Sequence, residues 1–277
     1  MRRMMVLTMG ASMLIASGLF PSQDTVRPVA TVATSTDPVV QFRGDFNTGD
    51  TSQWELETVK KYSLQVKDGG PGHPTAGRFE VRDGDHPVDS GERSEAKVPN
   101  EIDVSNGDER WYVFSMMFDK NFPKPKDGWC DPLQWHPAKA NHKTADGSPM
   151  MNFQCGNKGD DNLYFEVGDK ERFKLGPLDR GKWHKFWLHV KFSTDPKKAF
   201  EEVYRDGELV IPKMSPKHPN MSSPKAYLKI GIYRKQINDG PMVVWHDDMT
   251  IYTSAPPKPT KTGTTPPPPV NTCSSTN

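Results

Sequence analysis

The feature that most constrains the fold is an alternation of apolar and polar side chains, with a period of two, along several short segments. In residues 227–234, Leu228, Ile230 and Ile232 alternate with polar residues or glycine, and residues 186–192 alternate in the same way. Side chains two apart on a strand share one face, so such segments predict strands that are buried on one side. No segment has convincing helical periodicity, and the chain is therefore predicted to be all-β.

Other segments extend this pattern through the middle of the chain. Residues 111–118 are a dense run of aromatic and methionine side chains, and residues 243–252 are a further strand candidate. Arg205-Asp206-Gly207 is a turn signal between two β-rich pieces. Proline, at 26 of 277 residues, disfavours long helices, since a proline inside a helix costs about 3 kcal/mol. We therefore predict a concanavalin A-like β-jelly roll of two antiparallel sheets with a concave substrate groove.

The two ends of the chain differ from its middle. Residues 1–30 begin with Arg2 and Arg3 and continue through an apolar stretch, as in a signal peptide. A membrane anchor is the alternative, but the stretch is short and lacks strong flanks. Residues 254–277 are rich in Pro, Thr and Ser and are predicted to be an extended tail or linker. Residues 31–253 are then predicted to be the folded domain. The protein is predicted to be a secreted, extracellular monomer with no stable membrane insertion after signal cleavage.

Export gives the cysteines a structural interpretation. Cys130 and Cys155 both lie in the domain and are predicted to form a disulfide. Cys273 lies in the tail and has no assigned partner. No CxxC pair occurs, which disfavours a zinc–cysteine site. The net charge of +1 lacks the basic excess of nucleic-acid binders, so no nucleic-acid partner is predicted.

Three short segments each place polar side chains two residues apart, so that each set shares one face of a predicted strand. The sets are Arg93 with Glu95, Gln134 with His136, and Tyr227 with Lys229 and Tyr233. Each set alone is typical of the solvated side of a strand. Together they supply a guanidinium, an amide, an imidazole, an ammonium and a phenol, which suit the binding and deprotonation of a carboxylated sugar.

The same segments resemble the signature strands of the jelly-roll polysaccharide lyases, a group that includes heparin lyase I-like, glucuronan and alginate family 7 lyases. The similar segments, in the same order, are RSE at 93–95, QWH at 134–136 and YLKIGIY at 227–233. The resemblance spans roughly residues 42–252. Trp135 stands where the alginate lyases have Ile or Val, and Arg234 stands where they have Asn. These two departures favour the heparin and glucuronan lyases.

The resemblance implies a lyase that cleaves an anionic, uronic-acid-containing polysaccharide by β-elimination, without a catalytic cofactor. Glucuronan or alginate is favoured over a heparin-like chain, because the net charge is modest. Gln134 and Arg93, aided by Lys229, would bind the uronate carboxylate and stabilise an enolate-like intermediate. Two assignments of acid and base are open. Either His136 is the base and Tyr233 the acid, or Tyr233 does both with His136 as its partner.

The resemblance also implies residues around this centre. Four are predicted to contact the substrate: Glu95, Tyr227, Arg234 and His86, although a loop histidine without a role is the alternative for His86. Asp45 and Asp248 are predicted ligands of a structural calcium, which jelly-roll domains of this kind bind where the first and last strands meet. Acidic turn residues without a metal are the alternative reading of this pair.

Two other functions are compatible with the predicted fold. A glycoside hydrolase of this shape carries catalytic carboxylates two or three residues apart on one strand. The nearest segment, residues 166–169, lacks that spacing. A non-catalytic carbohydrate-binding module has little need of the combined Arg, Gln, His, Lys and Tyr set. The sequence therefore favours the lyase.

Overall fold

The computed structural model describes residues 37–85, 91–236 and 240–261. In this part of the chain a single short 3-10 helix, Asn100–Ile102, accompanies sixteen strands. The strands are β1 (Val40–Gly44), β2 (Glu55–Glu57), β3 (Leu64–Lys67), β4 (Ala76–Val81), β5 (Glu92–Lys97), β6 (Val104–Ser105), β7 (Glu109–Phe118), β8 (Cys130–Ala138), β9 (Met151–Cys155), β10 (Asn162–Val167), β11 (Glu171–Pro177), β12 (His184–Lys191), β13 (Phe200–Arg205), β14 (Glu208–Met214), β15 (Lys225–Arg234) and β16 (Met242–Tyr252).

The strands form two sheets, which we call the back sheet and the front sheet. The back sheet has the order β14-β13-β12-β7-β16-β4-β3, and β1 also pairs with β16. The front sheet has the order β11-β10-β9-β8-β15-β5-β2, and β6 also pairs with β15. All pairings between these strands are antiparallel. The prediction of an all-β jelly roll with two antiparallel sheets is therefore confirmed.

The segments with period-two alternation are strands in the structure. In β15, Leu228, Ile230 and Ile232 are all buried in the core, as their shared face predicts. The segments 111–118, 186–192 and 243–252 fall mainly within β7, β12 and β16. The predicted turn joins β13 to β14, and Asp206 and Gly207 both have positive φ, at 52° and 78°. Positive φ at both central residues is the geometry of a type I′ hairpin turn.

Aromatic side chains from both sheets fill the space between them. Phe153 of the front sheet packs against Phe186 and Phe114 of the back sheet, at centroid distances of 5.2 and 5.7 Å. Trp135 of β8 is fully buried and meets Tyr112 of β7 at 5.1 Å. Each such ring contributes about 1.5–3 kcal/mol by leaving water. Because these faces are committed to the core, the alternate residues of β8 and β9 are expected on the outer face of the front sheet.

Gly231 in β15 lies where no larger residue fits. Its φ is +133°, and a Cβ there would overlap the carbonyl oxygen of Ser94 and lie 2.8 Å from Phe79 Cδ1. The missing side chain therefore lets β15 and β5 pair closely above the core, within the segment that carries the polar set.

The predicted disulfide between Cys130 and Cys155 is not formed, because the structure has both residues as free, buried thiols. They lie near one end of the paired strands β8 and β9, where Leu133 is opposite Phe153. Continuing that register offsets the two cysteines by one residue, so they are not directly opposed as cross-strand partners. Burial, with the neighbouring Cys130 thiol, raises the pKa of the Cys155 thiol well above its usual range.

The start of the predicted tail is packed, in contrast to the extended linker expected from its composition. Pro256, Pro257 and Pro259 line a small cavity together with Trp187 of the back sheet. Lys258 Nζ lies 2.7 Å from a carboxylate oxygen of Glu202. Residues 254–261 therefore lie against the back sheet, and proline suits this role because it needs no backbone N–H partner.

The remaining predictions about the two ends lie outside the described residues. They concern the signal peptide at 1–30, the tail from residue 262 onward, and Cys273. Within the described ranges, no helix has the length and apolar character that a membrane crossing requires.

Replacing Gly231 by alanine is expected to destabilise the protein more than replacing Gly147. Both glycines have similar positive φ, +133° and +126°, but only Gly231 has atoms within 4 Å of the added Cβ. Both variants should therefore lose about 1–3 kcal/mol to backbone strain, and Gly231→Ala should lose about 1–3 kcal/mol more to overpacking. Urea denaturation gives the two free energies of unfolding. Equal losses would contradict the close approach of β5.

Candidate active site

Four of the predicted polar residues meet at a cavity of about 440 Å³ on the outer face of the front sheet. Arg93, Gln134, His136 and Tyr233 all line it. They come from β5, β8 and β15, which are adjacent in the sheet. Sheet pairing thus brings together three segments that are far apart in sequence. The remaining lining residues are Trp129, Asp131, Gly147, Ser148, Pro149, Asn152, Gln154 and Asp169.

Tyr233 is held between an aromatic ring and a cation. The Trp129 ring lies 4.3 Å from the Tyr233 ring, and the Arg93 guanidinium carbon lies 4.2 Å from the Tyr233 centroid. Arg93 is directly opposite Tyr233 in the pairing of β5 with β15, while Trp129 immediately precedes β8 on the other side. Cation–π contacts of this kind contribute about 0.5–2 kcal/mol. The phenol ring is therefore flanked on two sides at the cavity wall.

His136 is a neutral imidazole. Burial is the largest cause that lowers the pKa of His136 to about 4, and the positive charge of Lys229 is the second. His136 Nδ1 lies 3.1 Å from the Pro137 carbonyl oxygen and 3.3 Å from the Tyr227 hydroxyl. Because a carbonyl oxygen can only accept, we assign the proton to Nδ1 and the lone pair to Nε2. That tautomer is suited to accept a proton from a bound substrate.

Lys229 is buried between two carboxylates. Lys229 Nζ lies 2.6 Å from Glu57 Oε2 and 3.6 Å from Glu95 Oε2. Burial acts to lower the pKa of Lys229, but the carboxylates of Glu95 and Glu57 outweigh it and raise that pKa above its usual value. The lysine is therefore a charged structural centre of the front sheet, with its charge already compensated.

The other predicted carboxylate-binding groups also contact these carboxylates. Gln134 Nε2 donates a hydrogen bond of 2.5 Å to Glu95 Oε1. Arg93 Nη1 lies 3.4 Å from both Glu57 Oε2 and Glu95 Oε2. Glu95 itself is only 1% exposed. It orients Gln134, Arg93 and Lys229 beneath the cavity, whereas the sequence predicted direct contact with substrate.

Sequence reasoning missed four polar residues of this region. Asn152 and Gln154 alternate with buried apolar residues in β9, so the same signal that found Gln134 could have found them. Glu57 belongs to a three-residue strand with no alternation to detect. Asp131 lies on β8, three residues before Gln134, and its Oδ1 accepts a 3.0 Å hydrogen bond from Asn152 Nδ2. Strict alternation from Gln134 would place Asp131 on the core side.

Arg234 is not among the residues that line the cavity, and its contact with substrate stays a prediction. Its side chain is fully buried, with Nη2 lying 2.7 Å from Glu92 and 2.8 Å from Asp83. It is next to Tyr233 on β15 and therefore faces the opposite side of the strand. These ion pairs hold the end of β15 to β5 and to the turn after β4.

The two other predicted contact residues have different outcomes. Tyr227 is 3% exposed, and its hydroxyl lies 3.1 Å from Thr144 Oγ1 and beside His136. It therefore supports the imidazole from below. His86 lies outside the described residues, and its role stays a prediction.

The two predicted calcium ligands have different described contacts. Asp248 lies with Asp247 and His73, whose potential ligand atoms are all within 4.8 Å of one another. The Asp45 carboxylate instead accepts hydrogen bonds from Gln53 and from the backbone of residue 47. A group containing an imidazole nitrogen is a poor match to the oxygen ligands that calcium prefers. Calcium binding at Asp45 and Asp248 stays a prediction.

Comparison with known proteins identifies relatives of this fold. A family model described as polysaccharide lyase matches residues 46–250. An endo-β-1,4-glucuronan lyase from the fungus Trichoderma reesei superposes with a TM-score of 0.61 at 15% identity, over 78% of this chain and 96% of that one. No curated protein matches the chain.

Two alginate lyases superpose over a similar extent. Aly36B, solved with an alginate trisaccharide, has a TM-score of 0.54 at 11% identity, covering 78% of this chain and 99% of that one. Alginate lyase A1-II′, a member of polysaccharide lyase family 7, has a TM-score of 0.54 at 14% identity, covering 74% and 96%. At these identities the structural likeness concerns the fold.

The His136 ring is expected to titrate near pH 4 in the folded protein, because burial and Lys229 disfavour its charged form. Ring ¹⁵N chemical shifts measured by NMR between pH 3 and 8, assigned with a His136→Gln variant, report the midpoint. The same ring in urea is the control and should titrate near its ordinary value of about 6.5. A folded-state midpoint near 6.5 would contradict the buried environment.

The difference between the pKa of His136 in the folded and unfolded chain makes the free energy of unfolding depend on pH. A histidine whose pKa is lower in the folded state binds its proton first in the unfolded chain. His136 therefore stabilises the fold fully above about pH 6.5. That contribution is lost at about 1.4 kcal/mol per pH unit as the pH falls toward the folded-state value of about 4. Urea denaturation of the wild type and His136→Gln across this range isolates the effect.

Proposed function

The chain belongs to the polysaccharide lyase family, and we propose that it cleaves a uronic-acid-containing polysaccharide by β-elimination. The observation that carries this proposal is the meeting of Tyr233, neutral His136, Gln134 and Arg93 around one cavity. These groups supply an acid, a base and polar contacts for a carboxylate, which are the chemical requirements of the reaction.

In the proposed reaction, His136 Nε2 takes the C5 proton of the uronate and Tyr233 donates its hydroxyl proton to the leaving glycosidic oxygen. The electron pair of the C5–H bond forms the C4=C5 double bond as the C4–O bond breaks. The tautomer of His136 supports this assignment, because its Nδ1 faces Pro137 O and Nε2 has the lone pair. The flanking of Tyr233 by Trp129 and Arg93 supports a fixed position for the acid.

We favour glucuronan or alginate as the substrate. The relatives of similar fold include a glucuronan lyase and alginate lyases. The charges beneath the cavity also favour a polysaccharide without sulfate groups. The positive charge of Lys229 is already compensated by the carboxylates of Glu57 and Glu95. A densely sulfated chain would gain more from uncompensated cations than this cavity offers. The chain is further proposed to act outside the cell, because its first thirty residues resemble a signal peptide, and its monomeric state stays a prediction.

Tyr233→Phe is expected to lower the rate of product formation at least about 10²-fold, because the acid that protonates the leaving oxygen is removed. The measurement is ultraviolet absorbance of the unsaturated uronate formed from glucuronan, polymannuronate and polyguluronate. Tyr204→Phe is the matched control, since Tyr204 belongs to the back sheet and its hydroxyl contacts Glu202 and Lys258. Near-normal turnover by Tyr233→Phe would refute the assignment.

The same panel separates the competing functions. A lyase produces absorbing ends, whereas a glycoside hydrolase produces reducing ends without absorbance. A carbohydrate-binding module retains the polymer without cleaving it. Absence of absorbing product from every polyuronate would overturn the proposed reaction.

A further inference from the structure

Asp131 lies beside an irregularity in the pairing of β8 with β15. Ile230 is opposite Leu133, but Tyr233 is opposite Asp131, so the register shifts between these two pairs. Such a bulge opposes two residues of one strand to one of the other and re-aims a side chain. Asp131 lines the same cavity as Tyr233, its direct partner across the two strands.

The surroundings of Asp131 are polar but lack a compensating cation. The side chain is 5% exposed, and its Oδ1 accepts a 3.0 Å hydrogen bond from Asn152 Nδ2. Among the described residues, no lysine, arginine or histidine nitrogen lies within 4.0 Å of its carboxylate oxygens. Asp131 is therefore a carboxyl group at a ligand-sized cavity, and its described hydrogen-bond partners are the side-chain amides of Asn152 and Gln154.

The titratable and charged groups around Asp131 come from several neighbouring strands. Glu95 of β5 and Glu166 of β10 act on it electrostatically, while Arg93, His136, Tyr233 and Asp169 share the cavity wall. Burial, reinforced by the negative charges of Glu166 and Glu95, raises the pKa of Asp131 well above its usual range. A buried carboxyl group without a described cation partner favours its neutral form, which is an O–H donor, whereas an ionised carboxylate only accepts.

A further donor would add to the groups expected from the sequence, because each of those groups already contacts a carboxylate of the protein. Gln134 Nε2 donates to Glu95, and Lys229 Nζ donates to Glu57. Arg93 Nη1 is shared by the same two carboxylates. A uronate carboxylate entering the cavity would compete with Glu57 and Glu95 for these donors. The neutral acid of Asp131 has no anionic partner among the described residues.

We propose that Asp131 is a further catalytic residue, which donates a hydrogen bond from its carboxylic acid to the carboxylate of the uronate that undergoes elimination. This inference rests on the proposed lyase function. Asp131 stays protonated throughout, so no proton changes owner in this contact. Negative charge builds on the substrate carboxylate oxygens as the C5 proton leaves, and the hydrogen bond strengthens as it does so.

Three variants test the role of Asp131 in turnover. Asp131→Ala removes the donor and should lower kcat about 10²–10³-fold, the usual effect of removing one such donor, with a smaller change in KM. Asp131→Asn keeps an N–H donor and the bond from Asn152, so it should retain more activity than Asp131→Ala. Glu201→Gln is the matched control and should retain wild-type kcat. Glu201 is a buried carboxyl of the back sheet whose pKa is likewise raised by burial, to about 8.

Infrared difference spectra of the wild type minus Asp131→Asn give a readout independent of turnover. At neutral pH they should contain a carbonyl band of a protonated carboxylic acid, and that band should shift when an oligouronate binds. A carboxylate signal in place of that band would overturn the inference even if the enzyme is active. An Asp131→Ala variant with kcat within about twofold of wild type would also overturn it. A wild type that produces no unsaturated uronate would overturn the proposed function instead. The infrared spectra do not depend on turnover, so they would still show whether Asp131 is protonated in that case.

Discussion

The ion pairs of one buried lysine organise the outer face of the front sheet. Lys229 is nearly inaccessible to water, and a buried charge without partners would cost several kcal/mol. Glu57 and Glu95 compensate that charge from β2 and β5. These carboxylates in turn engage Gln134 and Arg93, so that one closed network spans four strands. The side chains of the cavity wall are thus oriented by contacts beneath them.

This network changes the chemical character expected of a site for an anionic polymer. A sequence with Arg93, Lys229 and Arg234 in its motifs suggests a basic groove. In the structure Lys229 and Arg234 are buried in ion pairs, and the cavity presents the Arg93 guanidinium together with amides, a phenol and a neutral imidazole. Selectivity in such a site would come from directed hydrogen bonds more than from long-range attraction.

The sequence predicted the parts of the fold that depend on local pattern. Alternation identifies β15 because one face of the strand is committed to the core, and the same alternation identifies the partners Gln134 and His136. The sequence could not identify Glu57 as a site residue, because a strand of three residues is too short to show an alternation of polar and apolar side chains. Asp131 was also missed, because strict alternation from Gln134 assigns it to the core side of β8. Cysteine spacing likewise could not predict a disulfide, because it does not report the register of β8 against β9.

The flanking of Tyr233 by Trp129 and Arg93 has a consequence for the entropy of catalysis. A tyrosine on an open surface would lose rotamer freedom when a substrate fixes its hydroxyl. Here the ring is restrained on two sides before any ligand arrives, and Arg93 is held in turn by Glu57 and Glu95. Little ordering of this side chain remains for the binding step, so more of the interaction energy with a substrate is available to align the reacting atoms.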